Sequence, residues 1–496
     1  MNQMKTIKNI YTLALILMIT CFNSCQLTED IDDFERPFSL GATEITNEST
    51  AELALTGVYS GFGTFIGAGN PHIYIIPSLL SGVAQPGFGR DAESEAISIN
   101  VPLATGTVDM RGGYARLYGI INNANWLLEG IEDIPQATFS NPERKNEIIA
   151  EAKGMRATAH FYLLRLWGQF YDLNSNFGIV IKTAPATSNE AFPRNNVADS
   201  YASIMEDLDD AIANAPDLRA KFFINKSYAK ALKAKVLLYQ GNYPQAAALA
   251  KEVLDTSGSD FQLAATVTEI FDNTSDALFN SSELLFGSRG ITNEEDLRLG
   301  NFWGGDYAEL TDDYRNIFTG NVVINGQTIN YDDNNRFFED FSGGAGKFAE
   351  FFPFAGETFE MLYHMRMAEL HLIYAEADAR ANNGVTTDAL DALNAVRTRA
   401  GATTTGTDGF ETYPASITLP DFLEAVRVEK WVELGTEMGE EWFDLVRYDV
   451  ADGLGTGFQV SDVKSSATNP DKFILPIPSE SIQSGGNVVE QNLSYN

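Results

Sequence analysis

Cysteine is almost absent from this chain. Of 496 residues only Cys21 and Cys25 are cysteines, and both stand at the N-terminus. The body beyond them can hold no disulfide framework, no thiolate zinc site and no cysteine nucleophile. Histidine is scarce too. His72, His160, His364 and His371 are scattered, and none sits at the HExxH spacing of a zinc-binding helix. His364 and His371, seven apart, are expected to share a helix face as polar residues, not as metal ligands. Positive charge is the third shortage. Lys and Arg number 34 against 68 Asp and Glu, a formal net charge of −34 with no basic cluster. Such a chain repels phosphate backbones, so nucleic acid is not expected as a partner. After the leader no apolar run approaches the roughly 20 residues that a membrane-spanning helix needs. No GxSxG, P-loop or other catalytic signature is present, and no cofactor is expected.

The leader has its own logic. Met1 to Lys8 is short and basic, and Ile10 to Met18 is apolar for nine residues. That length suits a secretion signal and is too short to cross a bilayer. Ser24 precedes Cys25, as in a bacterial lipoprotein signal, although Phe22 and Asn23 depart from its strict form. Residues 1–24 are therefore expected to be removed and Cys25 to carry the lipid. Each buried acyl methylene contributes ~0.8 kcal/mol, enough over several chains for stable attachment. The acidic run Glu29, Asp30, Asp32, Asp33 and Glu35 resembles the surface-export signal of Bacteroidota lipoproteins.

The body is rich in paired helical patterns. Ile148, Ala152, Met155, Ala159, Tyr162, Leu166 and Phe170 recur every three or four residues, one face of a long helix. Val197–Asn214 is the next helix. Ala229 to Leu254 reads as a helix, a Gly241-Asn242 break and a second helix. Met365, Ala368, Leu372, Ala375 and Ala379 mark another, and Thr387 to Arg399 the return. A weaker pair covers Glu48–Gly61 and Met110–Ile131. About four hairpins result, above the roughly three that a helical stack needs. Trp126, Trp167, Trp431 and Trp442 fall on helical patterns and are expected to be core or scaffold.

Between the hairpins, residues 62–108 and 257–360 are rich in Gly and aromatics and show no helical period. They are expected to form loops and short strands, and the tail after Tyr448 to be irregular. Loops on a rigid frame are where binding residues concentrate.

The order of segments resembles the SusD/RagB family of outer-membrane nutrient-binding lipoproteins. The motifs that carry it are EAKGMRATAHFYLLRLWG (151–168), MRMAELHLIYAEADAR (365–380), LNAVRTRAG (393–401), VRVEKWVELGTEMGEEWFDLVR (426–447) and FILPIP (473–478). The segment before Trp442 holds one residue more than the family pattern. Glu441 stands where the family has arginine, which puts the ion pair usual there in question. The resemblance implies a mainly α fold of tetratricopeptide-like hairpins in a right-handed superhelical scaffold, with long loop-rich inserts and a few short strands. It implies an N-terminal part over 25–255 and a C-terminal part over 256–496. It further implies a protein that captures oligosaccharide or polysaccharide at the cell exterior, delivers it to a SusC-like TonB-dependent outer-membrane transporter, and does not cleave it.

A sugar ring stacks on flat aromatics while Asp, Asn and Arg bond its hydroxyls. Arg298, Asn301, Phe302, Trp303, Asp306 and Tyr307 form the richest such cluster, opened by Gly300, Gly304 and Gly305. Tyr74, Phe88, Arg90 and Asp91 form a second. Asp332 to Asn335 misses the spacing of a calcium loop and reads as a solvated turn. Glu429, Glu433, Glu437, Glu440 and Glu441 invite a glycoside hydrolase reading, but they lie in the stretch that resembles a scaffold helix. Peptide capture, and after it a mainly structural role beside the transporter, are the alternatives that stand behind glycan capture.

Overall fold

The alanine-rich periodic segments fold as helices, and polar caps fix their starts. Asn196, Asn225, Thr386 and Thr418 each accept a hydrogen bond from the backbone N–H three residues on, satisfying a donor that the first helical turn leaves open. A computed structural model describes residues 41–63, 72–87, 92–105, 109–188, 191–271, 276–291, 308–319, 321–324, 327–330, 359–404, 410–450 and 457–495. Its principal helices are α1 (Glu48–Gly63), α2 (His72–Ser81), α3 (Ala92–Ser98), α4 (Asp109–Glu132), α5 (Arg144–Trp167), α6 (Val197–Asn214), α7 (Lys226–Tyr239), α8 (Tyr243–Thr256), α9 (Asp312–Thr319), α10 (Met367–Ala381), α11 (Thr387–Arg399), α12 (Leu419–Leu434) and α13 (Glu440–Val450).

The hairpins are α1/α4, α5/α6, α7/α8 and α10/α11. They stack in chain order, α4 on α5, α6 on α7 and α8 on α10, so the frame continues across residues 257–366. Small side chains permit the close approach. Ala231, Ala234, Ala246, Ala250, Ala375 and Ala379 are fully buried along this stack. Gly154 on α5 is required, because a Cβ there would lie 2.7 Å from Ile224. Nearly every side chain from Ala150 to Trp167 is buried, which makes α5 the axis of the core. Residues 40–496 form one compact unit.

The strands among the described residues make three antiparallel pairs. These are β1 (Ala84–Pro86) with β3 (Ala308–Leu310), β2 (Leu284–Ile291) with β6 (Phe359–Arg366), and β4 (Asn321–Ile324) with β5 (Gln327–Asn330). The mainly α architecture with a few short strands is the one the hairpin spacing predicts.

Several expectations need correction. Met365 does not open a helix. It lies near the end of β6, and α10 begins only at Met367. His364 therefore lies on a strand and His371 on a helix, with no shared helix face. Residues 62–108 are not simply loop. Ile75, Ile76, Leu79 and Leu80 are buried at helical spacing on α2, a period masked by Pro77 and the glycines around it. Trp126 is only half-buried and not a core residue, whereas Trp167 and Trp442 are buried and Trp431 packs half-buried against the core as scaffold.

Candidate ligand-binding site

Arg298, Asn301, Phe302, Trp303, Asp306, Tyr307, Phe88, Arg90, Asp91 and Cys25 lie outside the described residues, as do Asp332 to Asn335. Tyr74 stands on the first turns of α2, and its side chain is likewise outside the description. What the structure does place is the backbone from which both aromatic segments depart. Pro86 pairs with Ala308, Gln85 with Glu309 and Ala84 with Leu310. Phe88 follows β1 by two residues, and Tyr307 directly precedes β3. Strands more than 200 residues apart in sequence thus pair, and each is the described element next in sequence to one of the aromatic segments.

Local chemistry explains why this pair forms. Gly82, with φ +81°, turns the chain out of α2 into β1, a conformation that favours glycine. Thr311 closes the pair by donating its N–H to Val83 O at 3.0 Å and its hydroxyl to Gly82 O at 2.7 Å. Asn100 ends the α3 segment and donates to Leu80 O at 3.0 Å, holding α3 against α2. Ala84, Ala308 and Leu310 are buried beneath, while Gln85 is exposed and Glu309 half-buried.

A cavity of about 450 Å³ opens at this edge, lined by Gln85, Pro86, Glu95, Ser98, Ile99 and Glu309. Gln85 Nε2 donates to Glu309 Oε1 at 2.7 Å, which orients the carboxylate. Ile99 is 56% exposed beside this polar cleft. Two carboxylates, an amide and a hydroxyl offer acceptors to a ligand rich in O–H donors, and Pro86 and Ile99 offer apolar faces. Sequence reasoning missed these residues, since no motif marks them. Their only signal is that Gln85 and Glu309 flank the two aromatic segments.

The platform is held from behind by buried charge. Pro77 of α2 packs on Gly439, where a Cβ would lie 2.6 Å from Pro77 Cγ. Ser78 donates to Glu441, whose Oε1 also accepts from Thr436 N at 3.3 Å; Glu441 thus ties α13 to α2. The other glutamates of this stretch also point inward. Glu429 pairs with Arg397 at 2.8 Å. Glu433 and Glu437 meet Arg366 at 2.6 and 2.7 Å, and Glu283 meets it at 2.6 Å. Arg399 bridges Glu283 and Glu433. Glu440 joins Arg165 at 2.5 Å and Lys235. Burial opposes the charge of Glu440, but Lys235 and Arg165 hold its carboxyl at about 2. Burial likewise opposes Glu376, yet Arg447, Lys430 and Arg380 hold it well below the usual carboxylate range. The five carboxylates that suggested a hydrolase are thus buried and hydrogen-bonded inside the frame, not displayed in a cleft.

His364 is also internal. Its Nε2 lies 2.9 Å from Ser288 Oγ and its Nδ1 3.3 Å from Tyr162 Oη, with Phe286 stacked on the ring at 4.7 Å. Burial, aided by Lys235, pushes it down to about 3. Such an imidazole stays neutral and is too weak a base to activate Ser288 near neutral pH. Among the described residues no three His, Cys, Asp or Glu side chains converge as a metal site, and no helix is long and apolar enough to cross a membrane.

Comparison with known proteins decides the family. The SusD family profile matches residues 355–495, and a second, SusD-like profile described as starch-binding associating with outer membrane matches 100–238. The chain belongs to the SusD/RagB family. A SusD-like protein of Bacteroides ovatus is 27% identical over 190 residues, 38% of this SusD/RagB chain and 32% of that relative. The match thus spans about a third of the relative's length. A SusD superfamily protein of Bacteroides thetaiotaomicron superposes with a TM-score of 0.70 at 22% identity, over 90% of this chain and all of the other. A putative sugar binding protein of Bacteroides vulgatus gives 0.68 at 21% identity over 91% and 99%. A laminarin binding SusD-like protein gives 0.65 at 22% identity over 91% and 100%. At these identities the likeness establishes the fold.

Proposed function

We propose that this SusD/RagB protein is anchored to the outer membrane by lipid on Cys25, faces the cell exterior, binds glycan at the β1–β3 edge and passes it to a SusC-like TonB-dependent transporter. It acts as a binder, not an enzyme. One observation carries the reading. The paired strands β1 and β3, which precede Phe88 and follow Tyr307 in sequence, border a cleft whose polar groups accept hydrogen bonds from hydroxyls. Trp303 and Tyr307 supply the flat faces and Glu95 and Glu309 the acceptors. The family description, starch-binding associating with outer membrane, and the sugar- and laminarin-binding relatives of the same fold support the ligand class.

The test is gel retardation of the chain lacking residues 1–25 across a polysaccharide panel that includes laminarin and starch. Retardation by at least one glycan is expected. Trp303→Ala should abolish it, and Glu309→Ala should weaken it about tenfold, the cost of one hydrogen bond to a charged acceptor. Unchanged retardation in both variants would remove the β1–β3 edge from the site. Recovery of shortened glycan after incubation would overturn the binder assignment.

A further inference from the structure

The segment after α3 inverts the ordinary partition of side chains. Asn100 and Pro102 are buried, while Ile99, Val101 and Leu103 are 56%, 38% and 51% exposed. Singly exposed apolar side chains are ordinary at a protein surface. Here three branched aliphatics alternate with buried residues and so share one face of the chain. The row is short, since the chain from Ile99 to Leu103 can reach at most about 14 Å. Ile99 is also a wall of the β1–β3 cleft, so the row begins at that cleft and leads away from it.

The row is held in place, not frayed. Asn100 takes a φ of +58° and ends α3 in a Schellman turn. Its N–H donates to Ile97 O and that of Val101 to Ala96 O, both at 2.9 Å. The Asn100 side chain donates to Leu80 O at 3.0 Å and accepts from Ser466 Oγ at 2.7 Å. Just past Leu103, Ala104 O accepts from the backbone N–H and the hydroxyl of Ser479, at 3.0 and 2.8 Å. Three aliphatic side chains are thus kept in water by a backbone fixed at both ends. A molecule that covers them has little ordering to offset.

Their chemistry and the cleft they adjoin define what covers them. Ile, Val and Leu have no flat ring face, so they do not stack on a sugar plane as Trp or Tyr would. They gain instead by withdrawing methyl groups from water. The adjoining cleft offers carboxylate, amide and hydroxyl oxygens to O–H donors. A molecule that uses both surfaces carries hydroxyls along one stretch and acyl groups along the next.

We propose that the β1–β3 site selects a partly O-acetylated glycan, its hydroxyls bonded in the cleft and its acetyl methyls seated on Val101 and Leu103. The proposal rests on the glycan reading of that cleft and names the class of glycan. Calorimetry on the chain lacking residues 1–25 tests it, with glucomannan, laminarin and starch each supplied in O-acetylated and unsubstituted form. For whichever backbone binds, the acetylated form is expected to bind about fourfold tighter per methyl covered. Val101→Ser combined with Leu103→Ser should erase that preference and leave the unsubstituted form bound as by the parent. Val101→Ile combined with Leu103→Met keeps the row apolar and should keep the preference. Equal affinity of the parent for the two forms, or a preference that survives in the double serine variant, would overturn the proposal. Binding of the unsubstituted form would in either case leave the glycan reading of the cleft standing. Absence of binding by both forms of all three polysaccharides would overturn that reading and the proposal together.

Discussion

Arg366 is the point at which the frame is most exposed to a single substitution. It is 1% accessible, and its guanidinium reaches Glu283 at 2.6 Å, Glu433 at 2.6 Å and Glu437 at 2.7 Å, with a further bond to Glu433 O at 2.7 Å. Burial works against its charge, but the three carboxylates hold it protonated at any accessible pH. Arg366→Met keeps most of the stem and leaves Arg399 to bridge Glu283 and Glu433. Removing one side of a buried ion pair costs about 3–5 kcal/mol. At about 2.1 cal/mol/K per residue, the unfolding entropy of the roughly 450-residue folded unit is near 1 kcal/mol/K, so the melting temperature should fall by about 3–5 °C. Adding Glu437→Gln removes one stranded charge and should return about 1–2 kcal/mol. Scanning calorimetry at pH 7 reads both effects. A melting temperature within about 1 °C of the parent at pH 7, or a Glu437→Gln change that deepens the loss, would refute the electrostatic account.

Other outcomes follow from the same coordinates. His160 and His364, pushed by burial to about 3, and His371, to about 4, must charge on unfolding in acid. Their folded values lie below the unfolded 6.5, so their stabilisation is complete above pH 6.5 and is lost as pH falls toward 3. Each contributes up to about 1.4 kcal/mol per pH unit. Glu369, raised by burial, offsets part of this between its two values. Urea midpoints should therefore fall from pH 7 to 5.5, and His364→Gln should flatten the slope; a midpoint that rises on acidification would contradict this. Gly439→Ala meets Pro77 and Phe443 under 3.0 Å at φ +87°, so a loss of about 2–4 kcal/mol is expected by chemical denaturation, and a neutral result would show that the α12–α13 turn gives way. Cys25→Ser should move the protein from the detergent-extracted membrane fraction to the soluble one, and continued membrane retention would argue against lipidation there.

The hairpins are legible because their information is local. Val197–Asn214 and Thr387–Arg399 are bounded by Asn196 and Thr386, caps visible three residues ahead of the N–H groups they satisfy. Met365 reads as helical because the apolar period of α10 runs back into β6, and only pairing with β2, more than 70 residues earlier, makes that segment a strand. The buried ion pairs are equally out of reach. Arg165 and Glu440 are 275 residues apart, and no spacing rule links them. For the candidate site, composition singles out the aromatic segments, but not that β1 and β3 pair, since three-residue strands carry no period. Glu95 and Glu309 are invisible among 68 acids.

Because α10 rests on α8, the chain between them departs from the frame and rejoins it at neighbouring positions. Residues 257–366 thus form an excursion whose two ends are held by helix contacts, while Glu283 and Arg366 within it carry part of the buried charge that steadies those helices. Diversification of the excursion is therefore compatible with the stack only where it spares those two side chains.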